Sequence, residues 1–114
     1  MQATSKVVEN VVVITLMDRI DFSIRNTLRR LVNEAITQGY RHFVVNMKEV
    51  TFIDSSGLGA LVASFSTIRR QGGTMRLVQV PQQVYALLEM TKLTSFFEIF
   101  EREEAAIARA MQET

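Results

Sequence analysis

Phe43-Val44-Val45-Asn46 leads into Thr51-Phe52-Ile53-Asp54-Ser55-Ser56-Gly57-Leu58-Gly59, and Leu58, Leu61, Val62, Phe65 and Ile68 follow at helical spacing. The first four residues predict an apolar strand, and the last set predicts an amphipathic helix. Asp54-Ser55-Ser56 therefore stands where the chain turns from one into the other. A helix start presents unpaired backbone N–H groups and a partial positive charge, which suits an anion. In a small chain with few other reactive groups, Ser55 and Ser56 are candidates for receiving a phosphate rather than for catalysis.

The same alternation extends in both directions. Upstream, Lys6 to Glu9 and Val11 to Leu16 predict two strands split at Asn10. Val11-Val12-Val13-Ile14 is apolar at every position, as in a strand covered on both faces. Ser23 is placed to cap a helix running to about Gln38, with Ile24, Leu28, Leu31, Val32, Ala35 and Ile36 on one stripe and Gly39 beyond its end. Downstream, the second helix closes near Gln71-Gly72-Gly73, and Met75 to Val80 predicts a strand. Pro81 opens a third helix with Val84, Leu87, Leu88 and Met90 facing inward. Phe97 to Phe100 predicts a last short strand, and Arg102 to Gln112 a terminal helix with Glu103-Glu104 in its first turn. Strands alternating with helices imply parallel pairing through helical crossovers. The expectation is one α/β domain over residues 1–114, with a four- or five-stranded, mostly parallel or mixed sheet.

Composition narrows the function. The chain has 114 residues, 47% apolar and 22% charged, with a net charge of +1. That balance gives no general attraction to nucleic acid or to an anionic membrane. Arg29-Arg30 and Arg69-Arg70 fall on helical patterns and read as solvated faces. There is no cysteine, which excludes disulfides, thiolate metal sites and a cysteine nucleophile. The first ten residues do not form a signal peptide, and no apolar run nears the ~20 residues of a bilayer span. The expectation is a soluble cytoplasmic protein.

Catalytic constellations are sparse. His42 is the only histidine, so a histidine metal pair is excluded and no Ser-His-Asp arrangement is placed on a strand-turn-helix elbow. Gly57-Leu58-Gly59 and Gly72-Gly73 lack the length and the lysine of a phosphate-binding loop. No cofactor and no metal are expected. The scattered methionines read as gap-filling core residues. Asp21 and Asp54 each follow a strand. Groups beyond the carboxyl ends of neighbouring parallel strands converge on one edge, which would bring Asp21, Asn46, Asp54, Ser55 and Ser56 into one polar patch. The alternative is that Asp54 only caps the helix and Asp21 only closes a turn. Spacing does not separate the two. Gly57 and Gly59 are also explained by a tight turn and close helix-to-sheet packing.

Phe52-Ile53-Asp54-Ser55-Ser56-Gly57-Leu58-Gly59 resembles the phosphorylation-site signature of bacterial anti-sigma factor antagonists, which are STAS domains. Ile20-Asp21, Val45-Asn46, Gln71-Gly72-Gly73 and Leu87-Leu88-Glu89-Met90-Thr91-Lys92-Leu93 fall in family order, so the resemblance covers nearly the whole chain. It implies a fold with four helices mainly on one face of the sheet. It also implies a non-enzymatic switch. The unmodified protein would bind a serine-kinase anti-sigma factor. ATP-dependent phosphorylation would release it, and a metal-dependent serine phosphatase would reverse the change. By position the acceptor would be Ser55, with Asp21, Asn46, Asp54, Ser56 and Gly57 supporting it or the kinase contact. The resemblance also leaves room for a STAS module that scaffolds, serves a non-sigma output or binds a small ligand. One departure stands out: Asp18-Arg19 occupies positions where relatives often carry glycine and glutamate.

Overall fold

The computed structural model describes residues 2–113. Five strands form one sheet in the order β1-β2-β3-β4-β5: Ala3–Val8, Val11–Ile20, His42–Ile53, Thr74–Val78 and Glu98–Phe100. β1 is antiparallel to β2, and the other pairings are parallel. Four helices connect or follow them: α1 (Ile24–Thr37), α2 (Ser55–Arg70), α3 (Gln82–Met90) and α4 (Glu103–Met111). The fold is the expected α/β sheet.

The β1–β2 hairpin turns at Glu9 and Asn10, both with positive φ (54° and 67°). That pairing of left-handed residues matches the strand twist in a two-residue hairpin. β2 then runs inside the sheet, between β1 and β3. Val12, Ile14 and Leu16 face a core closed by Ile24, Leu28 and Val32 of α1, Leu58, Leu61 and Ile68 of α2, and Val84 and Leu88 of α3. Val11 and Val13 face the other way, against Ala106, Ile107 and Ala110 of α4. Three helices thus cover one face and one covers the other, and Val11 to Ile14 is buried on both sides, as its unbroken apolar run predicted.

Several boundaries move. β3 does not end at Asn46. It continues to Ile53 because Met47, Val50 and Ile53 are buried and the strand keeps pairing with β2, through two irregularities, as far as Ile20↔Ile53. β4 stops at Val78, where Gln79 takes a φ of +52°. Met90 does not face inward. It is 80% exposed at the end of α3, where Leu88 fills the core instead. Met47 and Met75 are the buried methionines that pack as core fillers.

Polar groups tie the edges together. His42 Nδ1 lies 2.8 Å from Thr74 Oγ1 across β3 and β4, a structural role. Arg76, buried under α4, donates to Glu98 and Glu113 at 2.6 Å each and to Thr74. A buried cation is tolerated only when so paired. At Gly73 a Cβ would overlap the Arg41 carbonyl oxygen, so this position admits only glycine. Among the described residues no helix is long and apolar enough to cross a membrane.

Candidate functional site at the start of α2

β2 and β3 outrun β4 and end together. Asp21 and Asp54 are each one residue beyond the last pair, Ile20↔Ile53. The Asp54 N–H donates to the Ile20 carbonyl at 3.3 Å. Gly57 closes the junction: a Cβ there would overlap the same Ile20 carbonyl. The glycine lets the first turn of α2 press directly on the end of β2. Here the sequence's turn and close-packing reading of Gly57 is the structural one.

Asp54 is the N-cap of α2, with an extended backbone (φ −107°, ψ −178°). Its Oδ1 accepts the Gly57 N–H at 2.8 Å and the Ser56 hydroxyl at 2.7 Å. That arrangement satisfies one of the free N–H groups of the helix start. It also distinguishes the two serines. Ser56 is held by the cap, whereas the exposed Ser55 hydroxyl has no hydrogen-bond partner among the described residues. The Gly57 N–H and the Ser56 hydroxyl hold the Asp54 carboxyl below its ordinary range, although the nearby Asp21 charge works the other way. Asp54 is therefore ionised at neutral pH.

Asp21 closes the loop before α1. Its Oδ1 accepts the Ser23 hydroxyl at 2.6 Å and the Ser23 N–H at 3.0 Å. The Ser23 hydroxyl, its N–H and the Arg19 charge lower its pKa. Ser23 occupies the N-cap position of α1, but its side chain makes no capping bond. The hydroxyl is used by Asp21 instead, which corrects the capping role expected for it. The turn-closing and cap-forming roles of Asp21 and Asp54 are thus real, and the two carboxylates also stand close enough to repel. The bland reading and the patch reading describe the same geometry here.

Asn46 is not part of that patch. Its Nδ2 donates to Gln79 Oε1 and Glu103 Oε1, both at 2.9 Å, and its Oδ1 accepts the Lys48 N–H at 2.9 Å. It is 9% exposed, on the α4 side of the sheet, where β4 ends. The grouping with Ser55 assumed that β3 ended at Asn46. The strand runs seven residues further, so Asn46 lies roughly 25 Å back along it.

Arg19, noted in the sequence as a departure, and Phe52, quoted there only as part of the motif, prove to be in contact beside the site. Ile20 and Ile53 point into the three-helix core, so Arg19 and Phe52, paired across the strands, share the outer face. The Arg19 guanidinium lies 4.1 Å from the Phe52 ring centroid, and its Nε is 3.5 Å from Asp21 Oδ2. Phe22, beside Asp21, is 72% exposed. Asp18 has a φ of +63°, a left-handed conformation that suits glycine and that aspartate tolerates better than most residues. Asp18 thus takes a turn conformation that glycine would also accept, and Arg19 places a positive charge beside it. Among the described residues no cluster of three His, Asp or Glu is placed to hold a metal.

With this geometry in hand, comparison with known proteins is specific. The STAS domain model matches residues 2–106. The anti-sigma F factor antagonist of Paenibacillus polymyxa is 31% identical over 98 residues, covering 85% of this chain and 84% of that protein. The structure of the anti-sigma factor antagonist SpoIIAA in its unphosphorylated form superposes with a TM-score of 0.79 at 25% identity, covering 94% of each chain. The phosphorylated form of the Bacillus cell fate determinant SpoIIAA superposes at 0.73, with 24% identity and 94% and 97% coverage. The chain, with its mixed five-stranded sheet and its Asp-Ser-Ser-Gly turn at the head of α2, belongs to the STAS domain family.

Proposed function

We propose that this protein is an anti-sigma factor antagonist that switches partners through phosphorylation of Ser55. The observation that carries this reading is the inequality of the two serines. Asp54 Oδ1 holds the Ser56 hydroxyl, while the Ser55 hydroxyl is exposed and without a partner among the described residues. A hydroxyl at the first residue of α2 is accessible to an incoming γ-phosphoryl group. The N–H groups of the first turn favour the charge that results.

In its unmodified form the protein binds a serine kinase that doubles as an anti-sigma factor, and so frees the sigma factor. The kinase transfers the γ-phosphoryl of ATP to Ser55 Oγ. The bond to the departing ADP breaks as the Oγ–P bond forms, and the hydroxyl proton passes to a base on the kinase. A metal-dependent serine phosphatase removes the group by hydrolysis. Asp21, Asp54 and Gly57 shape the turn that the kinase grips. Asn46 holds α4 against the sheet and stands apart from that turn. The chain is substrate and binding partner, not the enzyme, and works in the cytoplasm.

Phosphorylation adds a charge of about −1.5 to −2 beside Asp21 and Asp54. Repulsion inside the turn and against acidic groups of the partner lowers affinity, and a loss of ~3 kcal/mol of binding free energy exceeds a hundredfold in Kd. No refolding is required. The likeness of this fold to both forms of SpoIIAA is in keeping with a switch by local charge.

The test is incubation with serine-kinase anti-sigma factors and ATP, with the modified residue mapped by mass spectrometry. Phosphate on Ser55, and none in Ser55→Ala, is expected. Phosphate on Ser56 alone, or persistent labelling of Ser55→Ala, would overturn the site. In a companion binding assay Ser55→Ala should hold the kinase and Ser55→Asp should not. Equal affinities would remove the switch.

A further inference from the structure

We propose that Arg19 is a built-in counter-cation for a phosphate on Ser55: after modification its guanidinium leaves Asp21 for the phosphate oxygens, so the turn presents a paired phosphate and withdraws a cation from the partner. This rests on the reading of Ser55 as the acceptor.

Among the described residues, Arg19 is the one cation that the ends of β2 and β3 place in this turn. Asp18 precedes it on β2, Asp21 follows the end of β2, Asp54 follows β3, and the first turn of α2 contributes no acidic residue. Arg25, in the first turn of α1, lines the cleft between α1 and α2. The Arg19 side chain is 64% exposed, yet it is not loose. The guanidinium lies over the Phe52 ring, and Nε leans toward Asp21. Its two terminal nitrogens have no partner among the described residues. A guanidinium stacked on a ring keeps its N–H edge free for two parallel bonds, the geometry that suits a phosphate.

Reach and charge both permit the exchange. Arg19 pairs with Phe52, three residues before Ser55. Arg19 is ion-paired with Asp21, and the Asp21 charge acts on Asp54, the residue immediately before Ser55. The phosphate carries more charge than the Asp21 carboxylate and offers three acceptor oxygens. Asp21 would not be stranded, because the Ser23 hydroxyl and N–H continue to satisfy it. The unmodified surface therefore offers a partner the terminal nitrogens of Arg19, and the modified surface does not. At a position where the family resemblance leads one to expect glutamate, arginine selects a partner with an opposed carboxylate.

The experiment is a phosphorus-31 NMR titration of the full chain with phosphoserine genetically encoded at position 55. A nearby cation favours the dianion and lowers its pKa. Arg19→Gln should raise the second phosphate pKa by about half a unit, the size expected for an exposed charge pair. Arg19→Lys should recover part of the difference, because it restores charge without the stacked fork. The difference should shrink in 1 M salt. Identical titrations in the parent and Arg19→Gln would overturn the pairing. So would an equal effect on phosphoserine encoded at position 56, which would mark a diffuse field instead. Because no kinase is used, the result is independent of kinase mapping. A kinase product on Ser56 would defeat the acceptor assignment while leaving the Arg19 titration to stand or fall separately.

Discussion

Two polar clusters lie along β3, and they differ in how completely they are satisfied. Around Asn46, amide and carboxylate groups from β3, the end of β4 and the start of α4 meet under cover, and each Asn46 polar atom is used. Around Asp54, the cap oxygen is used twice, yet the adjacent Ser55 hydroxyl is bare and the Arg19 terminal nitrogens are unspent. The first pattern is that of a buried network that fixes one element against another. The second leaves chemical capacity at the surface, held in place by bonds that do not consume it. Polar residues at strand ends are therefore not interchangeable evidence of a site, and hydrogen-bond satisfaction separates the two cases.

If α2 is pinned at its start by backbone proximity, Gly57→Ala should be the most damaging change in the region. The added methyl overlaps the Ile20 carbonyl oxygen, which belongs to the sheet and cannot swing away. A loss of about 3 kcal/mol is expected, or a fall of about 10 °C in Tm for a domain of this size. Gly59→Ala, two residues on, meets nothing within 4 Å and should gain up to ~1 kcal/mol from helix propensity. Thermal melts of the pair measure this, and equal effects would show that α2 is not seated as described.

Asn46→Ala tests the satisfied cluster. It removes the Asn46 bonds to Glu103 Oε1, Gln79 Oε1 and the Lys48 N–H, leaving Glu103 with only its ion pair to Lys6 among the described residues. A loss of about 2 kcal/mol is expected, with faster hydrogen exchange in α4 and an unchanged rate of Ser55 phosphorylation. A large change in that rate with intact stability would mean that the two clusters are coupled.

Much of this was legible in the chain, and the failures have one cause. The strand–helix alternation, the Asn10 turn and the doubly covered Val11 to Ile14 run follow from local pattern, because burial on both faces leaves no polar position to break it. The Asp-Ser-Ser-Gly turn was visible as a helix start. Asn46 was misplaced because Lys48 and Glu49 interrupt the apolar pattern while Met47, Val50 and Ile53 continue it across an irregular ladder. A bulged strand hides its own length from a period-two search. Met90 was assigned inward because its neighbours are apolar, although it lies at the exposed end of α3. The stacking of Arg19 on Phe52 needed the register of two strands far apart in sequence, which no local pattern carries. Once Ile20 and Ile53 are known to be paired and buried, it follows directly.

The ionised cap adds a smaller, pH-dependent effect. The folded pKa of Asp54 lies below its ordinary 3.8, so its contribution is complete above that value and fades as pH falls through the lower, folded one. Asp21 has the same sign. Asp54→Asn keeps an acceptor for the Gly57 N–H but cannot ionise. Its urea midpoint should therefore fall less than the parent's between pH 5 and pH 3. An undiminished acid loss in Asp54→Asn would assign that loss to other carboxylates.

The finest contrast is between adjacent hydroxyls. Ser56→Ala removes a hydrogen bond to an ionised carboxylate, though an exposed one, and should cost about 0.5–1 kcal/mol. Ser55→Ala removes a hydroxyl that bonds to nothing within the described residues, so its stability should stay within ~0.5 kcal/mol of the parent. Phosphorylation should show the reverse order: retained in Ser56→Ala and lost in Ser55→Ala. The crossing of those two orders is the informative result, because a damaged turn would lower stability and phosphorylation together. If Ser55→Ala proved as destabilising as Ser56→Ala, the Ser55 hydroxyl would be part of the cap, and its availability to a kinase would no longer distinguish it from its neighbour.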